Sequence, residues 1–254
     1  MTIEPKVETL PTRLGQAVRH IEPHAKLSLS DIILGGQDGL VNVLGVVLGV
    51  AAASSDPRIV VAGGLAATFA ESISMGAVAY TSTLADRDMY LSEIEREKRE
   101  IRDMPDLERK EIEDIFAGWG FEGGLLDQAV EQVMKDEQAW VDVMMHNELK
   151  LSPVDSASAL RSALVVGIAA IVGSLIPLAP FFFTLPPLST LSITASIVIA
   201  IVLAAVALFA MGAYKARTTV GHPGKSGLQM AVIGTVSALA GYFVGALFSA
   251  PPGP

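Results

Sequence analysis

Five stretches of the chain are apolar for long enough to cross a bilayer: about 32–53, 58–85, 157–178, 190–214 and 226–249. The fourth would run about 36 Å as a helix at 1.5 Å per residue, more than a hydrocarbon core requires. Between the second and third the pattern changes. From Asp86 to Asp155 apolar residues recur at helical spacing among charges, which predicts three amphipathic helices: 86–103, 106–117 and 125–149, the last broken near Lys135–Asp136. Neither Pro nor Gly falls between Gly76 and Pro105. The second span and the first amphipathic helix therefore read as one continuous helix to about Met104. Ser30–Asp31 reads as a helix start, Asp56-Pro57 as a turn, and Asp106 as the N-cap of the helix after Pro105. Gly118–Gly124 reads as a loop, Ser152-Pro153 as the return to the membrane, and Pro177, Pro180, Pro186 and Pro187 as markers of a single loop.

The expected fold class is an all-α membrane protein: five transmembrane helices with a three-helix cytoplasmic metal-binding domain inserted between spans 2 and 3. The expected domains are an N-terminal tail (1–29, with an interfacial helix near its end), spans 1–2 (30–85), the inserted domain (86–152) and spans 3–5 (153–254).

Composition supports this division. Of 254 residues 51% are hydrophobic and 18% charged, with mean hydropathy +0.48. There is no cysteine, which excludes disulfides, thiolate metal sites and thiol catalysis, and four histidines are too few for a His-rich site. A pI near 4.9 argues against nucleic acid as a partner. The first 30 residues lack an apolar core, so no cleavable signal peptide is expected.

Charge sets the expected orientation. Seventeen of the 18 Lys and Arg fall in the tail, the insert up to Arg161, or the loop holding Lys215, Arg217 and Lys225; Arg58 stands alone opposite. By the positive-inside rule the N-terminus and the insert are cytoplasmic, and the C-terminus lies on the outer or lumenal side.

Polar residues within the spans are the first candidate chemistry. Asp38 lies in Gly35-Gly36-Gln37-Asp38-Gly39, with Asn42 one turn on; Glu71 and Met75 are one turn apart on the second span. Ionisable groups in a span are costly and are functional candidates by default. The plainer reading is a structural Asp and Glu bonded to neighbouring helices, with Met75 as packing material. Gly45 and Gly49 continue the Asp38 face as a small-xxx-small pattern, which points to a closely packed helix and, here, to the first span of a second copy.

The insert supplies the second set. It holds 20 acidic and nine basic residues from Asp86 to Asp155, a local charge of −11 against −9 for the whole chain. Glu93, Glu97 and Glu100 share a face; Glu108 and Glu111 follow; Met144, Met145 and Glu148 close the segment after Trp140. A solvated acidic face paired with Arg96, Lys98 and Arg99 is the plain alternative. Two thioethers beside the carboxylates favour Fe²⁺, with Mn²⁺, Co²⁺ or Zn²⁺ also fitting, over Mg²⁺ or Ca²⁺. No Walker motif and no Glu-x-x-His occurs, so neither ATP drive nor the full ferritin-type di-iron pattern is present.

From Ser30 to the last span the chain resembles the vacuolar iron transporter family. The resemblance is carried by Asp31-Ile-Ile-Leu-Gly with Asp38-Gly39-Leu40, Ser72-Ile-Ser-Met75-Gly, Gln138-Ala-Trp140, Met144-Met145 with Glu148-Leu149, and Ile176-Pro177-Leu178. It implies a homodimer of five-span protomers, not an enzyme, with the ion path between the two first spans. It also implies that Fe²⁺, and often Mn²⁺, leaves the cytoplasm in exchange for protons. By position it implies pathway residues Asp38 and Met75, and insert ligands Glu97, Glu100, Glu108, Glu111, Met144, Met145 and Glu148. Plant members carry a Glu where this chain has Ala67; Glu71, one turn later on the same face, is the candidate to replace it. The expected function is proton-coupled export of Fe²⁺, with no organic cofactor and with lipid, protons and divalent metal as partners. The alternative is a membrane-bound ferritin-like iron oxidase using the same carboxylates.

Overall fold

A computed structural model of the chain describes residues 29–54 and 56–248. Eight α-helices are placed among them: α1 (Leu29–Ala53), α2 (Pro57–Asp103), α3 (Pro105–Gly118), α4 (Gly123–Met134), α5 (Glu137–Val143), α6 (Ser156–Phe182), α7 (Ile193–Thr218) and α8 (Pro223–Leu247). Helix α5 continues as a π-helical turn, Met144–Glu148. Five helices are long and apolar enough to cross a membrane: α1, α2, α6, α7 and α8. The expected tail and its interfacial helix lie outside the described residues, apart from the start of α1 at Leu29.

Helix α1 is the centre of the bundle. It packs on α6, α8, α2 and α7, and Leu40, Val43, Leu44, Val47 and Leu48 are fully buried. Among apolar helices in lipid the drive for this is close van der Waals contact rather than escape from water, so small residues matter most. A Cβ added at Gly39 would stand 2.8 Å from the Ser174 hydroxyl of α6, and one at Gly49 would stand 2.8 Å from the Gly241 carbonyl of α8. Gly45 likewise lies against Gly241, and Gly245 against Gly49. This corrects the expectation for Gly45 and Gly49. Their close partner is α8 of the same chain, because α8 carries its own Gly241-x-x-x-Gly245 pair that matches theirs.

Helix α2 is continuous for 47 residues, about 70 Å at 1.5 Å per residue. Asp56 caps its start, accepting from the Arg58 backbone N–H at 2.8 Å, and Pro57 fills the first turn, where its missing N–H costs nothing. Its second half, with α3, α4, α5 and the π turn, builds a separate core around Ile101, Ile112, Phe116, Val130, Trp140, Val141, Met144 and Met145.

Two local readings need correction. Helix α3 begins at Pro105, after Met104, with no side-chain cap; Pro at the first helical position supplies the start that was assigned to Asp106. Pro177 and Pro180 lie inside α6, which runs on to Phe182. The Ser196 hydroxyl of α7 donates to the Pro180 carbonyl at 3.1 Å, the kind of support from a neighbouring helix that lets membrane helices keep internal prolines. The break expected in helix 125–149 near Lys135–Asp136 is present: Asp136 accepts from the Gln138 N–H at 3.0 Å and caps α5.

Candidate metal sites in the bundle and the inserted helices

The bundle site joins α1 to α2. The Asn42 amide donates to a Glu71 carboxylate oxygen at 2.7 Å. Asp38, one turn before Asn42, is a further polar neighbour of Glu71. Asp38 and Glu71 are half-buried, while Asn42 is exposed on the surface of the single chain. Asp38 also borders a groove of about 200 Å³ between α1 and α8, lined by Gln37, Val41, Gly234 and Ser237 among others. Two carboxyl groups and an amide thus meet between α1 and α2. Met75 sits half-buried one turn along α2. Ala67, at the position where the plant resemblance implies a Glu, packs against the apolar core of the bundle, and Glu71 meets the polar residues of α1 instead.

The backbone around this site explains its shape. The Thr68 hydroxyl donates to the Gly64 carbonyl at 2.8 Å and that of Ser72 to the Thr68 carbonyl at 2.6 Å, so both satisfy themselves within α2. That leaves Glu71 as the polar side chain of this turn that reaches across to α1.

The second site lies among α2, α3 and the π turn. Glu97 is 1% exposed and Glu108 3% exposed, and each has one carboxylate oxygen buried without a hydrogen-bond partner. Unsatisfied buried anions are costly and call for an explanation. Glu100, Glu111 and Glu148 close the cluster, each near enough to raise the pKa of a neighbour. Burial first, and Glu111 second, push Glu108 up to about 7. Glu148 reaches about 7 for the same two reasons. Glu97 is also raised, by burial, with the Arg96 hydrogen bond opposing.

Met144 and Met145 are both fully buried beside these carboxylates' helices. They open the π turn, closed by the Leu149 N–H to the Met144 carbonyl at 3.1 Å, which also carries Glu148; such insertions are common at functional sites. Nothing in the residue pattern announced it.

Arg96 lies across the acidic face, 2.9 Å from Glu93, 3.3 Å from Glu97 and 3.6 Å from Glu100. Lys98 pairs with Glu95 at 3.2 Å on the outer side. The face is thus partly the solvated, paired surface of the plainer reading and partly a buried anionic cluster. Among the described residues no three Asp, Glu or His side chains are drawn close enough to hold one ion. Three carboxylates of this face, Glu93, Glu97 and Glu100, lean on Arg96 instead. The chemistry of the set suits a divalent ion with both oxygen and thioether affinity.

Residues 29–246 match the VIT family profile. The chain is 35% identical over 225 residues to "Vacuolar iron transporter 1" of Tulipa gesneriana, covering 88% of this chain and 89% of that one. It is 34% identical over 244 residues to "Vacuolar iron transporter 1" of Arabidopsis thaliana (95% and 93%), and 28% identical over 240 residues to "Vacuolar iron transporter" of Plasmodium berghei (92% and 88%). With four apolar helices packed on a fifth, α1, and this match across nearly the whole bundle, the chain is a multi-pass integral membrane protein that belongs to the VIT family.

Proposed function

We propose that this protein carries Fe²⁺, and also Mn²⁺, out of the cytoplasm in exchange for protons. The observation that carries the reading is the Asn42–Glu71 bond at 2.7 Å with Asp38 beside it, a polar contact between two membrane-spanning helices that their apolar surroundings do not favour. A divalent ion held there displaces protons, and protons returning displace the ion, which couples the two flows without ATP. Relatives named as iron transporters supply the choice of iron. The insert collects ions on the cytoplasmic side through Glu97, Glu100, Glu108, Glu111, Glu148, Met144 and Met145. Met75 is a further contact along the path from Glu71. The long α2, which carries ligands of both sites, fixes the distance between them.

The working unit in this reading is a homodimer. Asn42 is exposed in the single chain, and an amide bonded to a carboxylate is poorly suited to face lipid. Since Gly45 and Gly49 are occupied by α8, the part of that stripe left for a second copy is its earlier turns, Asp38 and Asn42, together with Glu71. Cysteine at Asn42 in this Cys-free chain cross-links between copies if that face is shared. The function itself is tested by iron uptake into proteoliposomes under an imposed pH gradient, where Asp38→Asn removes the titratable charge and stops transport.

A further inference from the structure

The insert places a permanent cation on its own ligands. The Arg96 guanidinium contacts Glu93, Glu97 and Glu100 at 2.9, 3.3 and 3.6 Å. Glu97 and Glu100 belong to the set proposed to take metal; Glu93 does not. An arginine cannot shed its charge, so it is present on the cluster at every pH the protein meets. Its side chain is 42% exposed, and its long stem gives it somewhere to go. Meanwhile Glu97 and Glu108 each keep a buried oxygen with no hydrogen-bond partner, so Arg96 neutralises one edge of the cluster and not its inner side. The charge that would fill the inner side competes with the guanidinium for Glu97 and Glu100.

We infer that Arg96 is a resident counter-ion that the metal cargo must displace, and that the exchange sets how tightly the insert holds metal. This rests on the reading of the insert as a metal site. Without Arg96, five carboxylates and two thioethers would hold a transition ion tightly and hand it on slowly. With Arg96 in place, the empty cluster is already part-neutralised, loading needs more free metal, and the returning guanidinium helps expel the ion. Glu93 anchors the guanidinium at the edge of the site so that it is displaced rather than lost.

The test uses full-length protein in detergent and Mn²⁺ as the probe, with binding read by calorimetry. Arg96→Gln and Arg96→Met remove the charge and should bind Mn²⁺ about tenfold tighter, the effect of one competing charge at a half-exposed position. Arg96→Lys keeps a cation and should stay within about threefold of the unaltered protein, which a merely structural role for the guanidinium fork would not give. Without metal the two neutral variants should melt at lower temperature, and Mn²⁺ should restore the melting point. Neutral variants that fold only in the presence of Mn²⁺ would report the same exchange; variants that fold in neither condition, or bind Mn²⁺ equally or more weakly, overturn it. Glu108→Gln does not touch Arg96 and separates the two claims. If it weakens Mn²⁺ binding while Arg96→Gln fails to strengthen it, only the exchange is wrong. If the unaltered protein binds no Mn²⁺, or Glu108→Gln leaves binding unchanged, the metal reading of the insert is wrong and the exchange falls with it.

Discussion

The two candidate sites answer different demands with the same side chain. In the bundle, two carboxyls and one amide meet across α1 and α2, with a single methionine further along. In the insert, five carboxylates and two buried methionines gather on three elements, with an arginine already among them. A site of few donors binds weakly and releases easily, which suits passage. A crowded site binds well, which suits collection, and then requires some means of letting go. Burial is shared, but what it does differs. In the bundle it sets two carboxyls and an amide against one another between α1 and α2. In the insert it lifts Glu108 and Glu148 to about 7, with Glu111 the second cause at each.

The sharpest way to break this contrast is to remove one site and look for the function of the other. Asp38→Asn should abolish gradient-driven iron uptake, a loss of at least about a hundredfold, while leaving Mn²⁺ binding by the insert unchanged in calorimetry; removing a partly buried charge partner costs several kcal/mol. Glu71→Gln should fall nearly as far, since Ala67 offers no second carboxylate on that face. Normal transport by Glu71→Gln would assign the path to Asp38 alone. In the opposite direction, Glu97→Gln with Glu108→Gln should abolish binding in the insert and slow uptake at low iron, with uptake recovering at high iron because the bundle site is intact.

The pH dependence sharpens the comparison further. A metal ion must displace the protons of Glu108 and Glu148, so affinity of the insert for Mn²⁺ should rise as pH increases through 7, by up to about tenfold per pH unit for each proton released. Stability of the metal-free protein runs the other way. These two carboxyls titrate higher folded than unfolded, so each favours the folded state while protonated. That stability is lost as pH rises from the ordinary carboxylate range, near 4.5, through about 7. Thermal melts at pH 5 and pH 8, with and without Mn²⁺, should show both signs.

Much of the fold was legible because its signals are local. Long apolar runs mark the spans, the lack of Pro and Gly after Gly76 makes α2 continuous, and Asp136 ends one helix and caps the next. What failed depends on neighbours. Pro177 and Pro180 look like loop residues until α7 supplies a hydroxyl to the Pro180 carbonyl. Gly45 and Gly49 ask for a close partner but cannot say which, and α8 answers with Gly241 and Gly245. At the sites, residue types and helical spacing pick out Asp38, Asn42 and Glu71, yet the bond from Asn42 to Glu71 spans 29 positions of sequence. The π turn that carries Met144, Met145 and Glu148 has no mark in the helical spacing of 137–149. Arg96 was legible as a partner of the acidic face, since Glu93, Glu97 and Glu100 all lie within four residues of it on one helix.

Smaller effects separate packing from chemistry. Gly241→Leu should push α8 off α1 and lower the melting temperature in detergent, by the roughly 1–3 kcal/mol typical of overpacking or more where backbone is met. Met144→Leu and Met145→Leu keep volume and apolarity, so the fold should hold, and the preference for Mn²⁺ over Mg²⁺ should shrink by a few fold. An unchanged preference would reduce the two sulfurs to core packing.

The central claim is that metal and protons move in opposite directions through the Asp38–Asn42–Glu71 site. Its most direct test is a proteoliposome that contains only this protein, a trapped pH indicator and a trapped iron chelator dye. Added Fe²⁺ should enter while the interior loses protons, and an imposed outward proton gradient should accelerate entry; both signals should vanish together in Asp38→Asn. Fe²⁺ entry that neither moves protons nor responds to the gradient, or that continues undiminished in Asp38→Asn, would contradict the account.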